Sequence, residues 1–376
     1  MIRLENLTKI FETRDGTAVA ADHINMNVPE GEICILLGPS GCGKTTTLKM
    51  INRLVPPTSG KVFIGNQDTS SYDTIALRRG IGYVIQQIGL FPNMTVAENI
   101  GVVPHMLGWD RRRIKQRVEE LLEMVTLDPA VFMTRFPKEL SGGQQQRIGV
   151  ARALAADPPV LLMDEPFGAI DPINRAIIQD EFLKMQQKLG KTILFVSHDI
   201  DEAVKMGDKV AIFNAGKLEQ FDTPDNVLAH PVSDFIADFV GRDRTLKRLP
   251  LASVADAMDA NPPCVSADDP VQKAAGLMAE SGYVDLAVVD AAGKVQGVMS
   301  GGPAAARQGV CRDHCCEIKA SVTRLDDLRT VVSLMFANEL TWLACVDEHG
   351  RYQGCITLTG ITRFLGQTYR DLEREE

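Results

Sequence analysis

The fold of the first half of this chain is decided by Gly38-Pro39-Ser40-Gly41-Cys42-Gly43-Lys44-Thr45. This loop follows the apolar run Ile33–Leu37 and precedes Thr46–Leu54, a stretch of good helix formers that stops at two prolines. A strand, a glycine-rich loop and a helix in this order direct successive backbone N–H groups, and the positive end of the helix dipole, at phosphate oxygens. Lys44 is then placed to contact the β- and γ-phosphates and Thr45 to hold Mg²⁺. The segment therefore predicts a nucleotide phosphate site.

Length and composition limit the kind of protein. A chain of 376 residues is long enough for two or three domains, and its 45% apolar and 24% charged content is typical of globular proteins. No apolar run approaches the ~18 residues that a bilayer span needs, and the N-terminus has no signal-peptide pattern. The eight cysteines lack the spacing of a disulfide framework. We therefore expect a protein of the reducing cytosol.

The charge is unevenly distributed. The whole chain carries −9, and the part from Pro250 onward carries −7, because it holds 11 basic and 18 acidic residues. Binding to nucleic acid needs a basic surface that neutralises phosphates. We therefore expect no nucleic-acid partner.

Alternating strands and helices predict an α/β fold with a mostly parallel sheet. A helical insertion is predicted over about 92–155, where apolar residues recur on one face of a helix. These residues are Ile114, Val118, Leu121, Leu122 and Val125. The opening residues 3–30 are predicted to form short strands and turns.

Two later apolar runs deliver polar side chains at their ends. Val160–Met163 leads into Asp164-Glu165, and Thr192–Val196 leads into Ser197-His198. Ligands of open α/β sheets bind at the carboxyl ends of the strands, so these side chains are candidates for the nucleotide site. Asp171, which precedes a proline, is predicted to cap the helix that follows.

The C-terminal part repeats itself with an offset of 57 residues and no gap. Leu277-Met278 matches Leu334-Met335, and Asp290 matches Asp347. Each copy is predicted to fold as strand–helix–strand–turn–strand. Two copies indicate a pseudo-twofold pair, since a solenoid needs at least three.

The first 240 residues resemble the ATPase subunit of ABC transporters. The resemblance rests on the phosphate loop, the Leu140-Ser141-Gly142-Gly143-Gln144 signature, and the residues that end the strands. It implies ATP and Mg²⁺ as cofactors. The residues that it implies for the nucleotide are Phe11, Gly38, Pro39, Ser40, Gly41, Cys42, Gly43, Lys44, Thr45, Thr46, Ser141, Gly142, Gly143 and Gln144.

The resemblance also implies individual roles. Asp164, with Thr45, is expected at the Mg²⁺ ion, and Glu165 suits a base that polarises water. His198 would contact the γ-phosphate, and Phe11 would stack on adenine. Gln86 would sense Mg²⁺ and water while linking to a membrane partner. The catalytic set is thus Lys44, Gln86, Glu165 and His198, and the metal set is Thr45, Gln86 and Asp164.

One phosphate loop and one signature per chain imply a homodimer, in which each signature faces ATP held by the other copy. The missing membrane span implies separate integral-membrane permease subunits, with an extracytoplasmic substrate-binding protein as an indirect partner. The chain is accordingly expected at the cytoplasmic face of the membrane, as a peripheral subunit.

The repeat is similar to a tandem pair of CBS domains, which bind adenosyl ligands or sense ionic conditions. That family has an aspartate for ribose where this chain has Pro303 and Gly360. Cyclic di-AMP or another adenine nucleotide is one alternative for the pair, and a dimerising or electrostatic module is the other. Cys311, Cys315 and His314 suggest a zinc site, but Cys311 aligns with Val254 in the repeat, so small apolar side chains are the better interpretation.

The expected organisation is an ABC-type P-loop NTPase domain followed by an α+β CBS pair. The boundaries are 1–240 for the ATPase with its helical subdomain at about 92–155, 241–250 for a linker, 251–308 and 309–368 for the repeats, and 369–376 for an acidic tail. This order of domains resembles the ATP-binding subunits of importers for glycine betaine, carnitine, choline or proline betaine. The alternatives are an importer ATPase for another small solute, such as an amino acid, and an ABC ATPase without a transport role.

Overall fold

The computed structural model describes residues 1–14, 16–85, 89–168, 170–301 and 308–375, the last nine by their backbone. The chain forms two compact units. The first comprises residues 1–227 and 231–241, and the second comprises 228–230 and 242–376.

The first unit holds ten of the strands that the structure describes. They are β1 (Ile2–Thr13), β2 (Gly16–Val28), β3 (Ile33–Leu37), β4 (Ser59–Ile64), β5 (Gln67–Asp68), β6 (Ile81–Val84), β7 (Val160–Asp164), β8 (Thr192–Val196), β9 (Lys209–Asn214) and β10 (Lys217–Asp222). Helices along the same part of the chain are α1 (Lys44–Ile51), α2 (Thr74–Arg79), α3 (Val96–Met106), α4 (Arg111–Met124), α5 (Pro129–Phe132), α6 (Gly142–Leu154), α7 (Pro172–Leu189), α8 (Ile200–Met206), α9 (Pro224–Ala229) and α10 (Asp234–Val240).

A six-stranded sheet with the order β10-β9-β3-β8-β7-β6 forms the centre of this unit. Every residue of β3, β7 and β8 is buried, as expected for strands covered on both faces. All neighbours pair in parallel except β10, which pairs antiparallel with β9 at the edge. The predicted, mostly parallel sheet is therefore confirmed. The loop after β3 and the acidic end of β7 lie at the same edge of this sheet.

A second, antiparallel sheet has the order β2-β1-β4-β5. Its two long strands replace the short strands and turns predicted over residues 3–30, and that prediction was wrong. Register shifts interrupt the pairing of β1 with β2 between Leu4 and Ile10. These shifts break the strict two-residue alternation of buried side chains, which hides one continuous strand from a pattern search.

The predicted helical insertion is present as α3 to α6. In α4 the side chains of Val118, Leu121 and Leu122 are buried, so the predicted apolar face is confirmed. Helix α1 begins at Lys44 and ends at Ile51, whereas the sequence suggested Thr46–Leu54. Arg53 adopts a left-handed φ of 55°, which ends the helix before the prolines.

The second unit contains two three-stranded sheets, β11-β12-β13 and β14-β15-β16. Its elements are α11 (Arg244–Lys247), α12 (Val254–Ala257), β11 (Cys264–Ser266), α13 (Val271–Ser281), β12 (Asp285–Val289), β13 (Val295–Ser300), β14 (Ser321–Val322), α14 (Leu328–Ala337), β15 (Trp342–Val346), β16 (Tyr352–Thr357) and α15 (Leu358–Glu375). Both copies have the predicted order of strand, helix, strand, strand. Their registers also match, because Cys264 pairs with Ala287 and Ser321 with Ala344, each 57 residues on.

Two sequence interpretations about this unit can be compared with the structure. Cys311 is fully buried in the core of the first repeat, beside Val265 and Leu286, as a small apolar side chain would be. The predicted linker contains the short helix α11, and the backbone of the predicted acidic tail continues α15 to Glu375. None of the helices in the described ranges has the length and apolar content that a bilayer span requires.

Candidate functional site: a phosphate loop at the edge of the parallel sheet

The phosphate loop joins β3 to α1 and can be built only from glycine at two positions. Gly38 has a φ of 140°, and a Cβ there would lie 2.2 Å from the carbonyl oxygen of Phe213. Gly43 has a φ of 106°, and a Cβ there would lie 2.1 Å from the carbonyl oxygen of Ala20. Backbone packs directly against both residues, so no side chain fits. The loop is thereby fixed to β9 and β2.

Lys44, the first residue of α1, folds back into this loop. Its Nζ donates hydrogen bonds to the carbonyl oxygens of Gly38 at 2.6 Å and Pro39 at 2.7 Å. Only 7% of the residue is exposed, and a buried ammonium group needs such partners. The Cys42 sulfur, itself buried, lies 3.5 Å from the same nitrogen. The arrangement holds a positive charge at the centre of the loop, where phosphate oxygens would compensate it.

Two oxygen atoms suited to Mg²⁺ come together from distant parts of the chain. Thr45 Oγ1 donates a hydrogen bond of 2.9 Å to Asp164 Oδ1, which lies at the end of β7. Burial raises the pKa of Asp164, while the hydrogen bond from Thr45 acts in the opposite direction. Hydroxyl and carboxylate oxygens are the hard donors that Mg²⁺ prefers, so these residues fit the ion.

Glu165 and His198 follow adjacent strands and meet at this edge. The Glu165 backbone N–H donates to the Val196 carbonyl at 3.1 Å, which ties the ends of β7 and β8 together. Glu165 adopts a left-handed φ of 48°, an unfavourable conformation for a residue with a side chain. Its Oε1 lies 3.9 Å from His198 Nδ1. The imidazole is 66% exposed, so it faces outward from the end of β8.

The signature segment is a solvent-facing helix start. Ser141 caps α6 by accepting a hydrogen bond from the Gln144 backbone N–H at 3.3 Å. The Gln144 side chain accepts one in return from the Ser141 N–H at 3.0 Å, which completes a capping box. Ser141 and Gly142 are exposed. The predicted cap is confirmed, and the positive end of this thirteen-residue helix is accessible to an anion.

The remaining predicted site residues are placed as follows. Phe11 lies in β1, 39% exposed, with the Lys9 ammonium 4.9 Å from its ring centre. An exposed ring of this kind is available to stack on a base. Asp171 caps α7 by accepting from the Asn174 N–H at 3.1 Å, as predicted. Gln86 lies outside the described residues.

The sequence did not reveal a buried network behind His198. Glu202 Oε2 accepts from Ser197 Oγ at 2.6 Å, and its Oε1 accepts from Gln179 Nε2 at 3.1 Å. Ser197 Oγ also accepts from the Asp199 N–H at 3.0 Å, so the loop that presents His198 is fixed on both sides. Burial raises the pKa of Glu202. Gln179 and Glu202 are 23 residues apart, and no local pattern connects them.

These features define a nucleotide-binding P-loop domain that carries its own signature helix. A family model described as ABC transporter matches residues 21–168, and one described as CBS domain matches residues 254–300. The chain belongs to the ATP-binding subunits of ABC transporters.

Curated relatives match over the whole chain. The osmoprotectant import ATP-binding protein OsmV of Salmonella typhimurium is 53% identical, with all of both chains covered. The glycine betaine/carnitine/choline transport ATP-binding protein OpuCA of Bacillus subtilis is 42% identical, with 96% of this chain and 95% of that protein covered. The carnitine transport ATP-binding protein OpuCA of Listeria monocytogenes is 49% identical over 79% of this chain and 74% of that protein.

Solved structures match the ATPase part. A dimeric ATP-binding cassette in a post-hydrolysis state, bound to ADP and phosphate, has a TM-score of 0.54 and 36% identity. The match covers 60% of this chain and 99% of that one. The fold of the first unit is therefore that of an ABC ATPase.

Proposed function

We propose that this chain hydrolyses ATP to drive import of quaternary-amine osmoprotectants through membrane permease subunits. The observation that carries the ATPase assignment is the meeting of Lys44, the Thr45–Asp164 pair, Glu165 and His198 at one edge of the sheet. The substrate class is supported by the relatives whose names specify osmoprotectants, glycine betaine, carnitine and choline.

Each residue has a role that its position supports. Lys44 and the loop N–H groups bind the phosphates, and Thr45 and Asp164 would hold Mg²⁺, which supplies charge neutralisation when bound. Glu165 accepts a proton from, or orients, the attacking water. His198, 3.9 Å from Glu165, is placed to donate to the γ-phosphate. Phe11 stacks on the adenine ring. Gln86 is proposed to sense Mg²⁺ and water and to link the site to the permease.

The exposed signature supports a homodimer. Ser141 and Gly142 face solvent at the start of α6, where their N–H groups can bind the γ-phosphate of ATP held by a second copy. The related cassette of known structure is dimeric. We place this dimer at the cytoplasmic face of the membrane, where ATP is available, with an extracytoplasmic binding protein delivering the solute to the permease.

Uptake measurements test the proposed function directly. In cells that lack the native gene, the wild-type chain should restore ATP-dependent uptake of labelled glycine betaine, choline or carnitine. Lys44→Ala should abolish it, because the phosphates lose the buried ammonium. The matched control is Lys9→Ala, which removes an exposed lysine outside the loop. If both variants transport equally, or if an amino acid is taken up in place of quaternary amines, the proposal is wrong.

A groove on the helical insertion is suited to the permease. It has a volume of about 740 Å³ and lies between α3 and α4, with Met94, Ala97, Val102 and Met106 among its lining residues. Met106 is 57% exposed although it is apolar. Exposed apolar grooves on soluble proteins mark binding sites for partner segments. We assign this groove to an apolar helix of the permease that faces the cytoplasm.

A charge in this groove should separate hydrolysis from transport. Met106→Asp is expected to leave the ATPase activity of the isolated chain near wild type and to lower solute uptake at least tenfold, because a carboxylate would lose its hydration in the docked complex. Ile75→Asp is the control, since Ile75 is 59% exposed and lies on α2, outside the groove. Normal uptake by Met106→Asp would refute the assignment of the groove.

The CBS pair is proposed to regulate transport. Its excess of acidic residues supports a response to ionic strength, because salt shortens the range of charge interactions from ~8 Å at physiological salt to ~3 Å at 1 M. Cyclic di-AMP or another adenine nucleotide is the competing input. Uptake by full-length chains across a salt series, with and without cyclic di-AMP, distinguishes these inputs.

A further inference from the structure

A cleft of about 570 Å³ lies within the second unit and is lined by both repeats. Three aromatic side chains line it: Tyr283 from the first repeat, and Trp342 and Phe364 from the second. Trp342 is buried in a small apolar cluster against which Tyr283 packs. The cleft therefore has aromatic walls that are held by the cores around them.

The charges in the cleft are mostly negative. Asp256, Asp259 and Asp285 line it, and Arg363 is the single cation among the described lining residues. Asp285 lies at the start of β12, where its Oδ1 accepts from Ser300 Oγ at 2.6 Å. The site thus combines carboxylates and aromatic faces with one guanidinium group.

Asp259 and Tyr283 are fixed in place. The Tyr283 hydroxyl donates to Asp259 Oδ2 at 2.6 Å, and burial together with this bond raises the pKa of Tyr283, so the phenol stays protonated. The backbone of Asp259 exchanges two hydrogen bonds with that of Cys355, at 2.9 and 3.0 Å. A Cβ on Gly354 would lie 2.2 Å from the Asp259 carbonyl oxygen, so the segment packs directly on β16.

This chemistry favours a cation and disfavours a nucleotide. Aromatic faces beside carboxylates are the usual surroundings of quaternary ammonium groups, which have no N–H to donate and bind through cation–π and ionic attraction. Phosphate groups would be repelled by the three aspartates. Gly360, which stands where related domains hold ribose with an aspartate, lines this same cleft and offers no side chain.

We propose that the cleft between the repeats binds a small quaternary-ammonium solute, with the trimethylated nitrogen against Tyr283, Trp342 and Asp259 and a carboxylate, where the solute has one, on Arg363. The inference rests on the proposed function, since it makes the solute that the importer accumulates a ligand of the CBS pair. The pair then reports the amount of imported solute to the rest of the chain.

Binding can be measured on the full-length chain without ATP. The sequence contains two tryptophans, so Trp109→Phe leaves Trp342 as a fluorescent reporter in the cleft. Glycine betaine and choline should give saturable changes in its emission, confirmed by calorimetry. Glycine and ethanolamine, which lack the methyl groups, should bind at least tenfold more weakly. Sodium chloride at matched ionic strength controls for the charge of choline.

Three variants test the contacts. Tyr283→Leu should weaken both quaternary amines about 5–30-fold, which corresponds to the loss of one desolvated cation–π contact. Arg363→Gln should weaken glycine betaine about 5–10-fold and leave choline unchanged, because choline has no carboxylate. Glu348→Gln, an exposed acid in a turn outside the cleft, is the control and should change neither affinity.

The outcomes are separable from the ATPase assignment. Saturation by quaternary amines that depends on Tyr283 supports the proposal, whatever the hydrolysis rate. No saturable response, equal responses to glycine and glycine betaine, or binding of AMP or cyclic di-AMP that Tyr283→Leu abolishes would overturn it. A chain that supports solute uptake but binds no quaternary amine in the cleft disproves this inference alone.

Discussion

Glu165→Gln is expected to lower the ATP turnover of the purified chain by ~10²–10⁴, which is the usual contribution of a positioned general base. The amide keeps the shape of the side chain but cannot accept a proton from water. ATP binding should persist, because Lys44 and the phosphate loop are unchanged. Since product formation separates the two halves of such a dimer, the variant should also accumulate as an ATP-bound dimer in size-exclusion chromatography.

Asp201→Asn provides the matched control for this loss of charge. Asp201 is an exposed carboxylate three residues after His198, on the first turn of α8. Its replacement should leave turnover near wild type. If Glu165→Gln hydrolyses ATP at the normal rate while Lys44→Ala does not, the nucleotide site stands and the identity of the base is wrong.

Ser141→Arg is expected to abolish hydrolysis while sparing ATP binding to the single chain. Ser141 lies on an exposed helix start and makes no printed contact with the chain's own phosphate loop, so its predicted target is the γ-phosphate on a second copy. A bulky guanidinium group there would block the approach of that copy. The capping hydrogen bonds of α6 would also be lost, at a cost of about 1 kcal/mol, so folding should be checked by thermal melting.

Mixing variants distinguishes action across the dimer from action within one chain. Ser141→Arg and Lys44→Ala chains are each inactive, but a mixed pair contains one composite site with an intact Lys44 and an intact Ser141. Activity should therefore return on mixing. The matched control is Ser141→Arg mixed with itself at the same total concentration. Loss of ATP binding by Ser141→Arg alone would show that the signature acts within its own chain.

The sequence was sufficient for the parts of the site that lie close together along the chain. The phosphate loop between β3 and α1, the Ser141 cap of α6 and the Asp171 cap of α7 are all local, because spacing and residue type determine a cap or a glycine turn. The repeat also predicted the order of elements in the second unit, since an offset of 57 residues without a gap requires equal elements.

Contacts between distant residues could not be predicted in this way. The support of the His198 loop by Glu202 and Gln179 depends on the packing of α7 against α8. The hydrogen bonds of Lys44 to the loop carbonyls depend on a conformation, and the sequence indicated only a lysine pointing at phosphate. The long hairpin of β1 and β2 was missed because its register shifts conceal the alternation.

The matched registers of the two repeats have a consequence for stoichiometry. A duplicated unit starts with two equivalent clefts, but here the partners of Asp259 and Tyr283, 57 residues on, are Cys316 and Leu340. After duplication, the copies have diverged at the very positions that recognise a cation, so the equivalent of the described cleft has lost its carboxylate and its phenol. Each chain should therefore titrate with a single molar equivalent of solute, and a dimer with two non-adjacent ones.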